Sequence, residues 1–294
     1  MRRKNFNGER RQGFSVLELI ITMAIILIIA AVGYPEFRRA FNEAQQQSTI
    51  VKGFQMSHDI RNAINVAGEP VAYWGFHEGA GTSTSDTSGN KNHGTIYGAT
   101  WTGDTPHKVI KRGGGNWALQ FDGVDDRVAV GTSTSLSAST DELTVEVWVK
   151  PLRDYGEEPS QWYYFVWWDA PSGYKMEFGY EGWGDQTAFK VFNTGGTGFQ
   201  VDTEKYLKAN QWYYFVGAIN KVGNMVLYRN GRVMERATLT GTLRQGEDIS
   251  IGARTTSGYF NGIIDEIKIY NRTFSIAAIR ARYIAGILRR LLYE

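Results

Sequence analysis

Carboxylate and amide side chains gather in two glycine-rich loops and on one late strand. In chain order they are Asp86, Asn90, Asn92, Asp122, Asp125, Asp126, Asp265 and Glu266. Oxygen ligands without a histidine or cysteine cluster suit Ca²⁺ better than zinc. Asp and Asn in such loops also cap turns without any metal. The residues leave both interpretations open.

The sequence offers little for catalysis. It contains no cysteine, which excludes disulfides, zinc–thiolate sites and thiol chemistry. Glycoside hydrolysis needs two carboxyls facing one bond, roughly 5–9.5 Å apart. Glu146 stands among apolar residues, and Asp265 and Glu266 are adjacent, so strand alternation predicts that they point to opposite faces. The prediction is that the protein is not an enzyme.

Aromatic residues suggest a binding surface. The chain has 9 Trp and 16 Tyr, and several crowd residues 162–183. Alternation predicts that some of them point outward, where aromatic rings can stack on sugars. Trp162, Trp167 and Trp183 are the candidate ligand-binding residues. The alternative is that these rings fill the core or face neighbouring subunits.

An apolar segment near the N-terminus predicts a membrane helix. Residues 14–34 carry a single charge, Glu18, and a helix of this length spans roughly 30 Å, the thickness of a bilayer core. The basic residues before it should remain cytoplasmic. Pro35 predicts a kink, after which a helical pattern continues. The expectation is a leader over 1–13 and one long helix over 14–66.

This N-terminus resembles type IV pilins and the related pseudopilins of type II secretion. The resemblance rests on the basic leader, Gly13 before Phe14, Glu18 as the fifth residue from Phe14, the apolar run and Pro35. It implies that prepilin peptidase cuts between Gly13 and Phe14 and methylates the new amine. A carboxylate inside an apolar helix costs about 2.5–3.5 kcal/mol. We expect Glu18 to pair with the Phe14 amine of a neighbouring subunit.

From Val71 the apolar period changes from helix-like to strand-like. Thirteen candidate strands with turns at short intervals predict a sandwich. They cover 71–76, 93–101, 117–122, 127–131, 143–150, 162–168, 174–180, 188–192, 212–219, 224–229, 232–238, 248–253 and 259–270. Asn230-Gly231 predicts a type I′ hairpin. The fold class is therefore α+β: a long pilin-type transmembrane helix, an all-β head over 67–274 and a short C-terminal helix.

The pattern of the C-terminal segment 275–294 predicts a basic amphipathic helix. Its apolar stripe could lie on a membrane, on a partner or on the head itself.

The segment QWYYFV occurs twice, at 161–166 and 211–216, and it has two interpretations. It could form two strands in similar positions of the sandwich or a duplicated binding face.

The head resembles the laminin G-like, concanavalin A-like sandwich family. The segments that carry the resemblance are VAYWGFHEGAG (71–81), DTSGNKNHG (86–94), ALQFDGVDDRVAV (118–130), LTVEVWVKP (143–151), residues 212–231 ending in LYRNG, and GIIDEIKIYNRTFS (262–275). The family often holds structural or ligand-bridging Ca²⁺. The resemblance implies Asp122 and Asp265 as the first calcium ligands, with Asp86 as a weaker third candidate.

Together these features predict a filament subunit. It would insert into the bacterial inner membrane, assemble with other pilin subunits into an extracellular or periplasmic filament, and display a lectin-like head for a glycan or cell-surface ligand. The size of the head favours a minor, decorating subunit. The alternatives are a type II secretion pseudopilin with a cargo-binding or spacer head and, more remotely, an anchored carbohydrate-active enzyme. Five of the 32 basic residues lie within residues 1–13, so no nucleic-acid surface is expected.

Overall fold

The computed structural model describes residues 68–106, 116–138, 141–156, 161–203 and 206–291. This part of the chain folds into two antiparallel sheets of eight strands each. The strands are β1 Ala72–Trp74, β2 Ser83–Thr84, β3 Gly94–Tyr97, β4 Thr100–Thr102, β5 Ala118–Asp122, β6 Arg127–Val130, β7 Leu143–Pro151, β8 Trp162–Ala170, β9 Gly173–Glu181, β10 Gln186–Phe192, β11 Gly198–Asp202, β12 Tyr213–Ile219, β13 Asn224–Arg229, β14 Arg232–Thr238, β15 Ile249–Ile251 and β16 Asn261–Tyr270. The helices are α1 Thr134–Ser137 and α2 Ile276–Leu291.

Each sheet mixes strands from distant parts of the sequence. Sheet A runs β14-β13-β12-β7-β16-β5-β4, and β1 pairs with the second half of β16. Sheet B runs β11-β10-β9-β8-β15-β6-β3-β2. The predicted sandwich is therefore confirmed within the described residues.

The core lies between the sheets and follows from alternation along the strands. On β7, Val145, Val147 and Val149 point inward and are fully buried, while Glu146 and Trp148 lie on the opposite face. Burying side chains of this size stabilises the fold by about 1.5–3 kcal/mol each relative to exposure. The two QWYYFV copies form β8 in sheet B and β12 in sheet A. Their Phe165 and Phe215 rings stack across the core at 5.9 Å.

Two turns show how local sequence sets the topology. Asn230 and Gly231 have φ of 53° and 74°, as the predicted type I′ hairpin between β13 and β14 requires. The predicted strand 93–101 is instead two strands in different sheets, β3 and β4. The chain crosses at Gly98, where φ is 75° and a Cβ would overlap the Asp126 carboxylate. The short strands β2 and β11 were not predicted.

Helix α2 packs on the outer face of sheet A. Ile279 is buried among outward residues of β7, β12 and β13, and the Tyr283 ring stacks on Trp148 at 6.0 Å. Arg282 donates to Glu146 at 2.6 Å and to the Tyr270 hydroxyl at 2.8 Å. Of the alternatives for the C-terminal segment, the structure shows packing on the head itself.

The predicted long helix over 14–66 lies outside the described residues. In the part of the chain that the structure describes, neither helix combines the length and apolar character needed to cross a bilayer.

Candidate functional site

The two sheets present different outer faces. Helix α2 contributes Ile279, Tyr283 and Ile287 to the aromatic cluster on the outside of sheet A. A second aromatic cluster lies on the outside of sheet B, and no described residue of α2 belongs to it. The outer face of sheet B is therefore the better candidate for contact with a ligand.

The aromatic cluster on sheet B owes its composition to an irregularity in β8. The register shifts between Tyr164 and Val166, so Phe165 and Val166 both join the core. Trp162, Tyr164 and Trp167 consequently share the outer face. Without this β-bulge, strict alternation would place Trp167 in the core and Val166 outside.

These outward rings are largely covered by one another. Trp162 stacks on Tyr164 at 5.6 Å, and Trp167 meets Tyr174 at 4.5 Å. Trp162 and Trp167 retain only 7% and 2% of their exposure, whereas Trp183, in the turn between β9 and β10, retains 67%. Of the three predicted tryptophans, Trp183 is the one with a ring available for stacking on a ligand.

Glu181 and Gln186 flank the turn that carries Trp183, and with Gln200 and Asp202 they form a polar ladder of four half-buried side chains. The Gln200 amide donates to Glu181 at 2.7 Å and to Asp202 at 2.8 Å. The Gln186 amide donates to Asp202 at 2.8 Å. The glutamine N–H groups are thus occupied by hydrogen bonds to carboxylates. The atoms that the ladder offers to a ligand are therefore mainly oxygen acceptors.

The electrostatics of the polar ladder are acidic. Burial raises the pKa of Asp202 to about 6, and the charges of Glu235 and Glu181 act in the same direction against the hydrogen bonds from the glutamines. The backbone N–H of Asp202 donates to Glu235, which brings this third carboxylate close. The ladder therefore loses one negative charge as the pH falls through about 6. Planar acceptors beside an exposed indole suit a ligand that donates many hydroxyl hydrogen bonds.

Of the acidic clusters that the sequence analysis singled out, the one at Asp122, Asp125 and Asp126 forms a compact set of oxygens. The carboxylate oxygens of Asp122, Asp125 and Asp126 lie within 4.8 Å of one another. Burial raises the pKa of Asp126, and the neighbouring carboxylates add to the shift. All-oxygen ligands of this kind fit Ca²⁺. Two of the oxygens also accept turn hydrogen bonds, from the N–H groups of Asp122 and Val124.

The structure does not bring the three predicted calcium ligands together. On β16, Asn261 is the residue opposite Asp122, and Asp265 lies four residues further, roughly 13 Å along the strand. Asp86 accepts hydrogen bonds from the N–H groups of Tyr73, Ser88 and Asn92 and from the Ser88 hydroxyl. Its pKa is lowered because these bonds outweigh the effect of burial. Asp86 thus fastens its loop to β1.

The sequence argument about carboxylate directions was wrong at β16. A bulge between Asp265 and Lys268 gives Glu266 a φ of 51°. The Glu266 carboxylate accepts from the Tyr73 hydroxyl at 2.9 Å and from Lys268 at 2.8 Å, both on the outer side of sheet A. Asp265 and Glu266 therefore share a face. Glu146 is also not isolated, because it pairs with Arg282.

The polar ladder was missed by the sequence analysis. Its four members lie on three strands, and only the register of β9, β10 and β11 makes them neighbours. The available signal was the polar side chain at alternate positions of 198–202, a segment not predicted as a strand. The processing and assembly residues Gly13, Phe14, Glu18 and Pro35 lie outside the described residues.

Two family models match the chain. The model described as the concanavalin A-like lectin/glucanases superfamily matches residues 122–280, more than half of the chain. The model described as the prokaryotic N-terminal methylation motif matches residues 9–34. The second match covers the end of the leader, the Gly13–Phe14 junction, Glu18 and the apolar run.

Several solved structures share the fold. The binding domain of Paraclostridial Mosquitocidal Protein 1 aligns with a TM-score of 0.56 at 15% identity, over 74% of this chain and 52% of that one. The receptor binding domain of botulinum neurotoxin D aligns with a TM-score of 0.56 at 13% identity, over 75% and 53%. This chain thus spans about half the length of the toxin domains.

A third structure matches along almost its whole length. Domain 4 of AbnA, a GH43 extracellular arabinanase from Geobacillus stearothermophilus, in complex with arabinotriose, aligns with a TM-score of 0.53 at 18% identity. The alignment covers 72% of this chain and 97% of that domain. No curated protein matches the chain. The chain belongs to the concanavalin A-like lectin/glucanases superfamily and carries a prepilin-type methylation motif at its N-terminus.

Proposed function

We propose that this protein is a minor type IV pilin-like filament subunit whose head recognises a glycan through the outer face of sheet B. The methylation motif at residues 9–34 supports the filament role. The observation that carries the recognition role is the polar ladder on the strands that flank the turn with the exposed Trp183. Sugars combine hydroxyl donors with apolar ring faces, and this surface offers acceptors and an indole for the two.

The filament role requires processing before the apolar helix. Prepilin peptidase would cut between Gly13 and Phe14, and the helix would leave the inner membrane by packing against the helices of other subunits. Glu18 would then pair with the Phe14 amine of a neighbour, which removes the cost of a lone buried carboxylate. The mature protein would stand in an extracellular filament with the head displayed.

Mass spectrometry of sheared surface filaments tests this role. We expect head peptides in trace amounts and a mature N-terminus at methylated Phe14. Gly13→Leu should leave a precursor that begins at Met1 and stays in the membrane. Abundant head peptides would indicate a major subunit. Intact Met1 on assembled filaments would contradict the proposal, and absence from filaments with a secretion defect would favour the pseudopilin alternative.

Glycan binding is tested on an array with the purified full-length protein, followed by titration of the best ligand. Trp183→Ala should weaken binding at least about tenfold, which corresponds to about 1.4 kcal/mol. Tyr97→Ala is the matched control, because Tyr97 is 47% exposed on β3 of the same sheet, four strands away from β9. Equal loss in both variants, or no loss in Trp183→Ala, would argue against this face.

The same array measured with Ca²⁺ and with a chelator addresses the predicted metal. The oxygens of Asp122, Asp125 and Asp126 are the donor set that would hold it, and a bound ion would stiffen the β5–β6 turn. The polar ladder lies on β9–β11, so we expect the chelator to leave recognition by that face unchanged. The calcium site itself stays a prediction.

A further inference from the structure

Arg254, on the outer face of sheet B, lies between two aromatic rings, and within the described residues no carboxylate forms an ion pair with it. Arg254 lies in the turn between β15 and β16, which is closed by a backbone hydrogen bond from Arg254 N–H to Ser257 C=O at 3.0 Å. Its guanidinium lies 4.8 Å from the Trp167 ring centre and 4.7 Å from that of Tyr174. It also donates to the Tyr174 hydroxyl at 2.8 Å. Two rings and one hydrogen bond therefore fix its position.

Most donors of this guanidinium remain available. Arginine has five N–H donors, and within the described residues the Tyr174 hydroxyl is the hydrogen-bond acceptor of Arg254. Arg254 is half-buried, so part of its side chain reaches the protein surface. Because the side chain is already ordered, binding an anion would cost little further conformational entropy.

The neighbouring charges leave this end of the face positive. Two carboxylates lie on this part of the face: Glu177, which accepts from Tyr164 at 3.2 Å and pairs with Lys190 at 3.4 Å, and Asp169, which lies opposite Tyr174 on β8. The Arg244 guanidinium donates to the Tyr174 carbonyl and adds a cation beside Lys190 and Arg254. Three formal positive charges thus face two negative charges, so one positive charge is left over. The half-buried rings of Tyr174 and Phe192, 5.6 Å apart, form an apolar floor beside it.

The opposite end of the same face is negative. Glu181 and Asp202 belong to the polar ladder, and Glu235 adds a third carboxylate. Tyr174 and Glu181 lie on the same side of β9 because the register shifts at Lys175, and they are seven residues apart, roughly 20 Å along the strand. A ligand carboxylate is repelled by the ladder and attracted by Arg254. The charge distribution therefore selects both the kind of ligand and its position.

We propose that Arg254 binds the carboxylate of a uronic acid residue in a glycan lying along the outer face of sheet B. The planar guanidinium fork matches a carboxylate with two parallel hydrogen bonds. The rings of Tyr174 and Phe192 would contact the apolar face of the sugar. This inference rests on the proposed function, because it names the class of sugar that the recognition face takes.

The test compares oligogalacturonate and oligoglucuronate with their neutral methyl esters, using the purified full-length protein. Wild type should bind at least one acidic oligomer about tenfold or more tightly than its ester, and the preference should weaken as salt increases. Arg254→Gln should abolish the preference, because the affinity for the acidic oligomer falls to that for its ester. Arg254→Lys should keep part of it, because the charge remains without the planar fork.

Arg127→Gln is the matched control. Arg127 stacks on a single ring, Tyr97, at 4.1 Å elsewhere on sheet B, and its loss should preserve the preference. Equal affinity for acid and ester would overturn the inference while the proposed function stands. Loss of both ligands to the same extent in Arg254→Gln would show a structural role and overturn it too. Binding of neither series by wild type would also overturn it, and a neutral ligand on the array would still support the lectin-like role.

Discussion

Replacing Arg282 with methionine should lower the free energy of unfolding by about 3–5 kcal/mol, because the buried carboxylate of Glu146 loses its ion-pair partner. Glu146 is 3% exposed on the outer face of sheet A, and Arg282 is its partner from α2 at 2.6 Å. Burial disfavours the charged form of Arg282, but Glu146 and Tyr270 outweigh this and raise its pKa. Lys268, opposite Glu146 on β16, softens the loss, so the lower end of the range is expected.

The comparison that isolates the charge is the double variant Glu146→Gln/Arg282→Met. It removes both charges, so its free energy of unfolding should lie within about 1–2 kcal/mol of wild type. Denaturant unfolding followed by tryptophan fluorescence measures each variant. Arg280→Met is the control on the same helix, since Arg280 is exposed. If Arg282→Met costs no more than Arg280→Met, the ion pair does not hold α2 on the sheet.

Replacing Lys175 with methionine should stabilise the protein at neutral pH. Lys175 is 1% exposed, and its ammonium lies 4.0 Å from the Trp168 ring centre. Within the described residues no carboxylate pairs with it. Burial lowers the pKa of Lys175 to about 8 from 10.5. A shift of this size corresponds to about 3 kcal/mol, and the contact with the indole offsets about 1–2 kcal/mol of it. The expected gain is therefore about 1–2 kcal/mol.

The lowered pKa of Lys175 makes the stability difference between wild type and Lys175→Met depend on pH. Between about pH 8 and 10.5 the unfolded state binds more protons than the folded state, so the stability of wild type relative to the variant rises with pH in that window. Below pH 8 the full cost of burying the ammonium is present. Lys175→Met should thus have a higher free energy of unfolding than wild type at pH 7, and the difference should vanish near pH 10.5. Lys190→Met, which removes a half-exposed and ion-paired lysine, should show no such crossover. A gain for Lys175→Met that is independent of pH would contradict the account.

Local patterns predicted most of the strands because a half-buried strand imprints its alternation on the sequence. The predicted segment 143–150 became β7, and Asn230-Gly231 formed its hairpin. Irregularities in the strands limit the same reasoning. Strict alternation from Trp162 would place Trp167 in the core, and only the bulge in β8 brings it to the predicted outer face. The bulge in β16 turns Glu266 onto the face of Asp265, against the prediction. A bulge adds one residue to one strand only, so its position depends on the partner strand and not on the segment alone.

The amino-acid sequence was enough to predict the sandwich, the apolar run that matches the methylation motif, and the amphipathic character of residues 275–294. These features are local, because alternation, turn residues and apolar length need no knowledge of distant segments. The packing of the folded chain sets which outer face α2 covers and which tryptophan stays exposed, and it makes Glu181, Gln186, Gln200 and Asp202 one ladder. Pairing between strands far apart in sequence brings such residues together, and no local pattern records that pairing.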